Sequence, residues 1–196
     1  MITRAALSTV VQGQPKYRSM LAGNTAFSPT SFQSIETYTA TGGETSITFS
    51  SVPTTFASLQ LRGVMQRNTT NAMNWGLRFN GSSASDYSSY YLTGNGGSVT
   101  GVETELFSTL LGFQLPNNTA NIQGAFIIDL FDTGATDKFK TITYYGGYDQ
   151  NVVNNIIAFG TGQWISTAAI TSITLYFLGD ALAAGTSVAL YGIAKV

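Results

Sequence analysis

A chain of 196 residues is the length of one domain, and its 43% hydrophobic content suffices for a core without cross-links. It contains neither Cys nor His, which excludes disulfides, thiolate and Ser-His-Asp catalysis, and the usual zinc and haem ligands. Charged residues make up only 10%, where about a quarter is ordinary, and the net charge of −1 offers no field that would draw the chain to nucleic acid.

Residues 1–35 stand apart. They lack periodicity, contain Pro15 and Pro29, and hold Arg4, Lys16 and Arg18 as their only charges, a local excess of +3. The opening "MITRAALSTVVQGQ" is a poor signal peptide, with one Arg and a Thr-interrupted apolar run, and it reads as retained. An extended N-terminal arm that docks on another protein fits this composition. So does a tail strapped along its own domain. No apolar run approaches the roughly 18 residues of a membrane-spanning helix, so no membrane partner is expected.

From residue 36 to 196 the dominant period is two. Ile47 and Phe49 alternate with Ser and Thr; Leu59, Leu61 and Met65 share one face while Gln60, Arg62 and Gln66 take the other. Trp75, Leu77 and Phe79 oppose Gly76 and Arg78. "AFIIDLF" (125–131) is apolar on both faces except at Asp129, and "FKTITYY", "SITLYF" and "SVALYGI" complete the set. Such alternation predicts strands with one wet and one dry face. The segment 105–115, "ELFSTLLGFQL", is ambiguous between a strand and a helical turn. Gly- and Asn-rich turns such as "TGGE" (41–44), "NGSS" (80–83), "GNGG" (94–97) and "YGGYD" (145–149) separate the strands. The pattern predicts an all-β fold: an antiparallel β-sandwich of roughly eight strands, jelly-roll-like.

The stretch "LFDTGATDKF" (130–139) raises a catalytic question, because Asp-Thr-Gly is how aspartic proteases present their carboxylate. That chemistry needs two such carboxylates sharing a proton, and the chain has a single triplet. Asp132, Gly134 and Asp137 between two strand-like runs are what a hairpin loop asks for. Glu103 and Glu105 have the composition of a glycosidase pair but read as an exposed strand. Arg62, Arg67 and Arg78 are candidates to line one sheet face. "DYSSYY" places Tyr87, Tyr90 and Tyr91 together, a cluster suited to a glycan-binding or subunit-contact patch and equally to core packing.

The ordered segments "PKYRSMLAGN" (15–24), "SITFSSVPTTFASLQLRG" (46–63), "LRFNGSSASDYSSYYL" (77–92), "FIIDLFD" (126–132), "GQWISTAAITSITLYF" (162–177) and "VALYGI" (188–193) resemble small virion structural proteins of tailed bacteriophages, over nearly the whole chain. The resemblance implies a virion component on the outer surface of the particle, not an enzyme, with no cofactor. A capsid decoration or cement protein is the first expectation, its partners the major capsid protein or other virion proteins, its form a homo-oligomer with a trimer favoured. Arg4, Lys16, Tyr17 and Arg18 in the arm are the expected capsid anchor. The alternative is a tail-fibre or head-fibre tip that recognises host surface glycan through Tyr87, Tyr90, Tyr91 or Trp164.

Overall fold

The computed structural model describes residues 32–68, 74–114, 122–149, 155–179 and 181–194. The proposed anchor residues Arg4, Lys16, Tyr17 and Arg18 lie outside the described residues. Within them run β1 (Phe32–Thr39), β2 (Ser46–Phe49), β3 (Ser58–Met65), β4 (Asn74–Phe79), β5 (Tyr87–Asn95), β6 (Val99–Phe107), β7 (Leu110–Gln114), β8 (Gly124–Phe131), β9 (Lys140–Tyr148), β10 (Ile156–Trp164), β11 (Ile173–Phe177) and β12 (Ser187–Ile193). The ambiguous segment 105–115 divides into the end of β6 and β7. The first strand starts at Phe32, so the sheet already includes residues 32–35.

Every pairing is antiparallel, and the strands form two sheets, ordered β1-β12-β3-β8-β9-β10-β5-β6 and β2-β11-β4-β7. Eight of these strands are a long hairpin rolled up on itself. From the closed end outward its rungs are β4 with β7, β3 with β8, β2 with β11 and β1 with β12. Rolling brings β12 beside β3 and β11 beside β4, which splits the rungs alternately between two facing sheets. This is jelly-roll connectivity, two Greek keys in one sandwich. The remaining four strands are two inserted hairpins. β5–β6 leaves between β4 and β7, β9–β10 leaves between β8 and β11, and both add to the free side of β8. One sheet thereby grows from four strands to eight.

The core follows from the alternation read in the sequence. Trp75, Leu77 and Phe79 of β4, Ile173 and Leu175 of β11, Leu59 and Leu61 of β3, Ile128 and Leu130 of β8, and Val188 and Leu190 of β12 are all buried. Each such side chain contributes roughly 1.5–3 kcal/mol by leaving water. The inserted hairpins close the open side of this core. Tyr144 of β9 meets Trp75 edge-on at 5.1 Å, and Trp164 of β10 and Tyr87 of β5 pack on Phe79 at 5.4 and 6.1 Å.

Asp132 opens the turn between β8 and β9. Its φ of 56° is left-handed, a conformation that Asp tolerates better than most residues, and its carbonyl accepts a 2.9 Å bond from the Ala135 amide. Its carboxylate pairs with Lys138 at 3.5 Å. The buried Lys140 fastens this turn to the connection after β10: its ammonium donates to the carbonyls of Ala135 and Lys138 at 2.8 Å and of Thr167 at 3.3 Å. The Asp-Thr-Gly triplet is therefore a hairpin turn, as its surroundings in the sequence predict.

Candidate functional site

A sandwich normally buries the apolar residues of each strand and offers polar ones to water. β10 departs from this. Its inward positions are Ala158, Gly160, Gly162 and Trp164, while Ile157 and Phe159 point outward. The reason is steric. A methyl group at Gly160 would sit 2.4 Å from the Tyr144 ring, and one at Gly162 would sit 2.4 Å from Leu110. Large neighbours occupy the space under Gly160 and Gly162, so glycine is required there, and Ile157 and Phe159 lie on the opposite side.

Register then assembles a patch. Phe159 stands between Tyr145 of β9 and Leu92 of β5, and Ile127 of β8 lies beyond Tyr145. One apolar row thus crosses four adjacent strands on the outer face. The neighbouring row sets Ile157 between Gly147 and Gly94, with Ala125 next to Gly147. Ile157 is 71% exposed, Phe159 58%, Leu92 54% and Tyr145 49%. A groove of about 520 Å³ runs over Gly146 and Gly147 beside these side chains.

The third row is polar: Gln60, Asp129, Thr143, Thr161, Tyr90 and Glu103, from β3 across to β6. Gln60 donates its amide to Asp129, and Arg62, lying over the rings of Phe32 and Tyr191, donates to Gln60. At the other end the Tyr90 hydroxyl donates to Glu105 at 2.8 Å, and the bond to that carboxylate holds the phenol pKa up at about 12. A second groove, about 410 Å³, lies between Tyr90, Leu92, Glu103 and Phe159. The functional groups on this face are rings, aliphatic side chains, hydroxyls, carboxylates, the Gln60 amide and the Arg62 guanidinium, all suited to contact.

The tyrosine cluster does not act as one patch. Tyr90 is on the outer face. Tyr87 is fully buried, its hydroxyl accepting from the Phe79 amide and donating to the Ser82 carbonyl, so it offers no surface to a glycan or a subunit. The odd-numbered positions of β5 face inward, which also turns the half-buried Tyr91 against the core. Trp164 is buried and hydrogen-bonded to Asp86 at 3.0 Å, so it cannot stack on a sugar. The three arginines do not share a face either. Arg62 is on the outside of the long sheet, Arg78 lies over Tyr176 on the short one, and Arg67 is buried at an isolated bridge to Leu182. Glu103 and Glu105 do point to one side of β6, both beside Tyr90. Ile157, Phe159, Leu92 and Tyr145 escaped sequence reasoning. The signal for Ile157 and Phe159 is an inverted alternation, in which Ala158 and Gly160 take the inward positions beside them; Leu92 and Tyr145 carry no such signal and join the patch through register.

No family model matches the chain, and neither curated proteins nor solved structures yield a match.

Proposed function

We propose that this chain is a structural protein of a tailed-bacteriophage virion: a capsid decoration or cement protein on the outer head surface, homo-oligomeric, that stabilises contacts between capsomers. The observation carrying this reading is the contiguous apolar face on the outside of a folded sandwich. Monomeric soluble proteins rarely expose such a surface unless it binds something. The jelly roll agrees with it, being a fold that viral capsid proteins and lectins use, although a fold by itself assigns no function. The resemblance of the sequence to phage virion proteins supplies the setting, and the basic excess of the first 35 residues supplies a charged means of gripping another virion protein. On this reading the protein needs no cofactor and performs no catalysis.

The test is to image intact virions carrying a label on this protein. The expected result is label over the faces of the head. The second reading, a fibre tip that binds host glycan, is favoured by the groove in which the Tyr90 ring stands beside Leu92, Glu103 and Phe159, since rings stack on sugar C–H faces and carboxylates accept from sugar hydroxyls. Label at the tail, with glycan-array binding that Tyr90→Ala abolishes, would replace the first reading with the second.

A further inference from the structure

We propose that the outer face of the eight-stranded sheet is where two copies of this chain pair, face to face, about a two-fold axis parallel to the strands and between β9 and β10. The partner is a second copy, and the inference does not depend on the virion reading. It puts a two-fold contact in place of the three-fold one favoured on sequence grounds.

The first argument is area. Large side chains cover roughly 150–250 Å² each when whole, and the exposed parts of Ile157, Phe159, Leu92, Tyr145, Val99 and Val64 sum to on the order of 600 Å² on that scale. A standard interface takes about 800 Å² from each partner, so the apolar patch with its polar border is of the size that a stable dimer uses. Aromatic residues at the centre and few charges are also the composition of an interface core.

The second argument is self-complementarity. A half-turn about the stated axis exchanges β9 with β10, β8 with β5, and β3 with β6, while each residue keeps its level along the strand. At one level Ile157 of each copy then stands over Gly147 of the other, where the groove of about 520 Å³ receives it. At the next level Tyr145 faces Phe159, ring against ring, and Ile127 faces Leu92. At the third, Tyr90 faces Asp129 and Gln60 faces Glu103, so that a phenol and an amide meet carboxylates. The other in-plane axis, across the strands, would set every strand on its own copy, so that Ile157 of β10 would no longer stand over Gly147 of β9. A regularly twisted sheet is congruent with itself under a half-turn about a line parallel to its strands, so the natural twist is compatible with such packing.

Sedimentation equilibrium of the full chain at micromolar concentration tests this. The expected species is a dimer. Ile157→Asp, at an exposed site the fold does not depend on, is expected to weaken it at least tenfold with an unchanged far-ultraviolet spectrum. Val64 and Val99 end one row, on β3 and β6, and the axis brings them together across the interface. Val64→Lys and Val99→Glu should each weaken the dimer, and the double variant should regain most of the loss through two reciprocal ion pairs. A monomeric wild type overturns the proposal, whether other parts of the chain or a virion protein covers the face. So does a trimer, or a dimer that Ile157→Asp leaves intact. Single variants that weaken with no recovery in the double overturn the axis.

Discussion

Glu44 shows how much order one carboxylate imposes in a chain with few charges. It ends the turn "TGGE", in which Gly42 and Gly43 take φ of 107° and 96° that side chains resist. Its carboxylate accepts from the Thr41 amide and hydroxyl at 2.8 Å and from the Gly42 amide at 2.9 Å. These bonds, the one from the Thr41 amide foremost, lower its pKa from the ordinary 4.5 to about 2. A depressed carboxylate stabilises the fold fully above its unfolded value and loses that effect as the pH falls through the folded one. The window is therefore pH 4.5 down to 2. The melting temperature of the native protein should fall more steeply across it than that of Glu44→Gln, and parallel slopes would show that the turn does not depend on the charge. Local chemistry of this kind is legible from sequence: the glycines and Glu44 mark a turn, as Asp132 and Gly134 do, because the partners lie within a few residues.

At the scale of elements, legibility depends on where the large residues go. β3, β4 and β11 are directly legible, since each puts its large apolar residues on one side and small or polar ones mostly on the other. β10 hid its role, because its inward glycines make room for Tyr144 and Leu110, side chains from other strands that no local pattern reveals. The boundary expected at residue 35 falls inside β1, because most of that strand's residues are exposed and it presents almost no apolar period. Tyr87, Tyr90 and Tyr91 are close in sequence, whereas strand geometry points Tyr87 and Tyr90 to opposite faces of the sheet. The inserted hairpins nonetheless belong to the core. Trp164 stacks on Tyr87 at 6.3 Å and meets Phe79 at a tilt, and it is 2% exposed. Trp164→Ala should cost about 3–5 kcal/mol in urea unfolding and keep a single cooperative transition. A loss under about 1 kcal/mol, the size expected of a surface site, would make β9–β10 an appendage.

For the whole molecule, the distribution of charge separates two kinds of contact. Three of the nine basic residues fall in the first 35. Among the described ones, Arg67 and Lys140 are buried, Arg62 and Arg78 lie over aromatic rings, and Lys138 pairs with Asp132. Lys195, like Arg4, Lys16 and Arg18, lies outside the described residues, and the anchoring that the proposed function gives to the basic arm is open to screening: the Debye length shrinks from about 10 Å at 0.1 M salt to about 3 Å at 1 M. The patch around Ile157 and Phe159 is apolar, and burial of that kind does not weaken as salt rises. On the proposed function and pairing, washing virions in 1 M sodium chloride should therefore release the protein, and the released protein should sediment as a dimer. Retention on the particle at high salt would remove the basic residues from the anchoring role. Release as monomers would show that the sheet face is not what joins two copies on the virion.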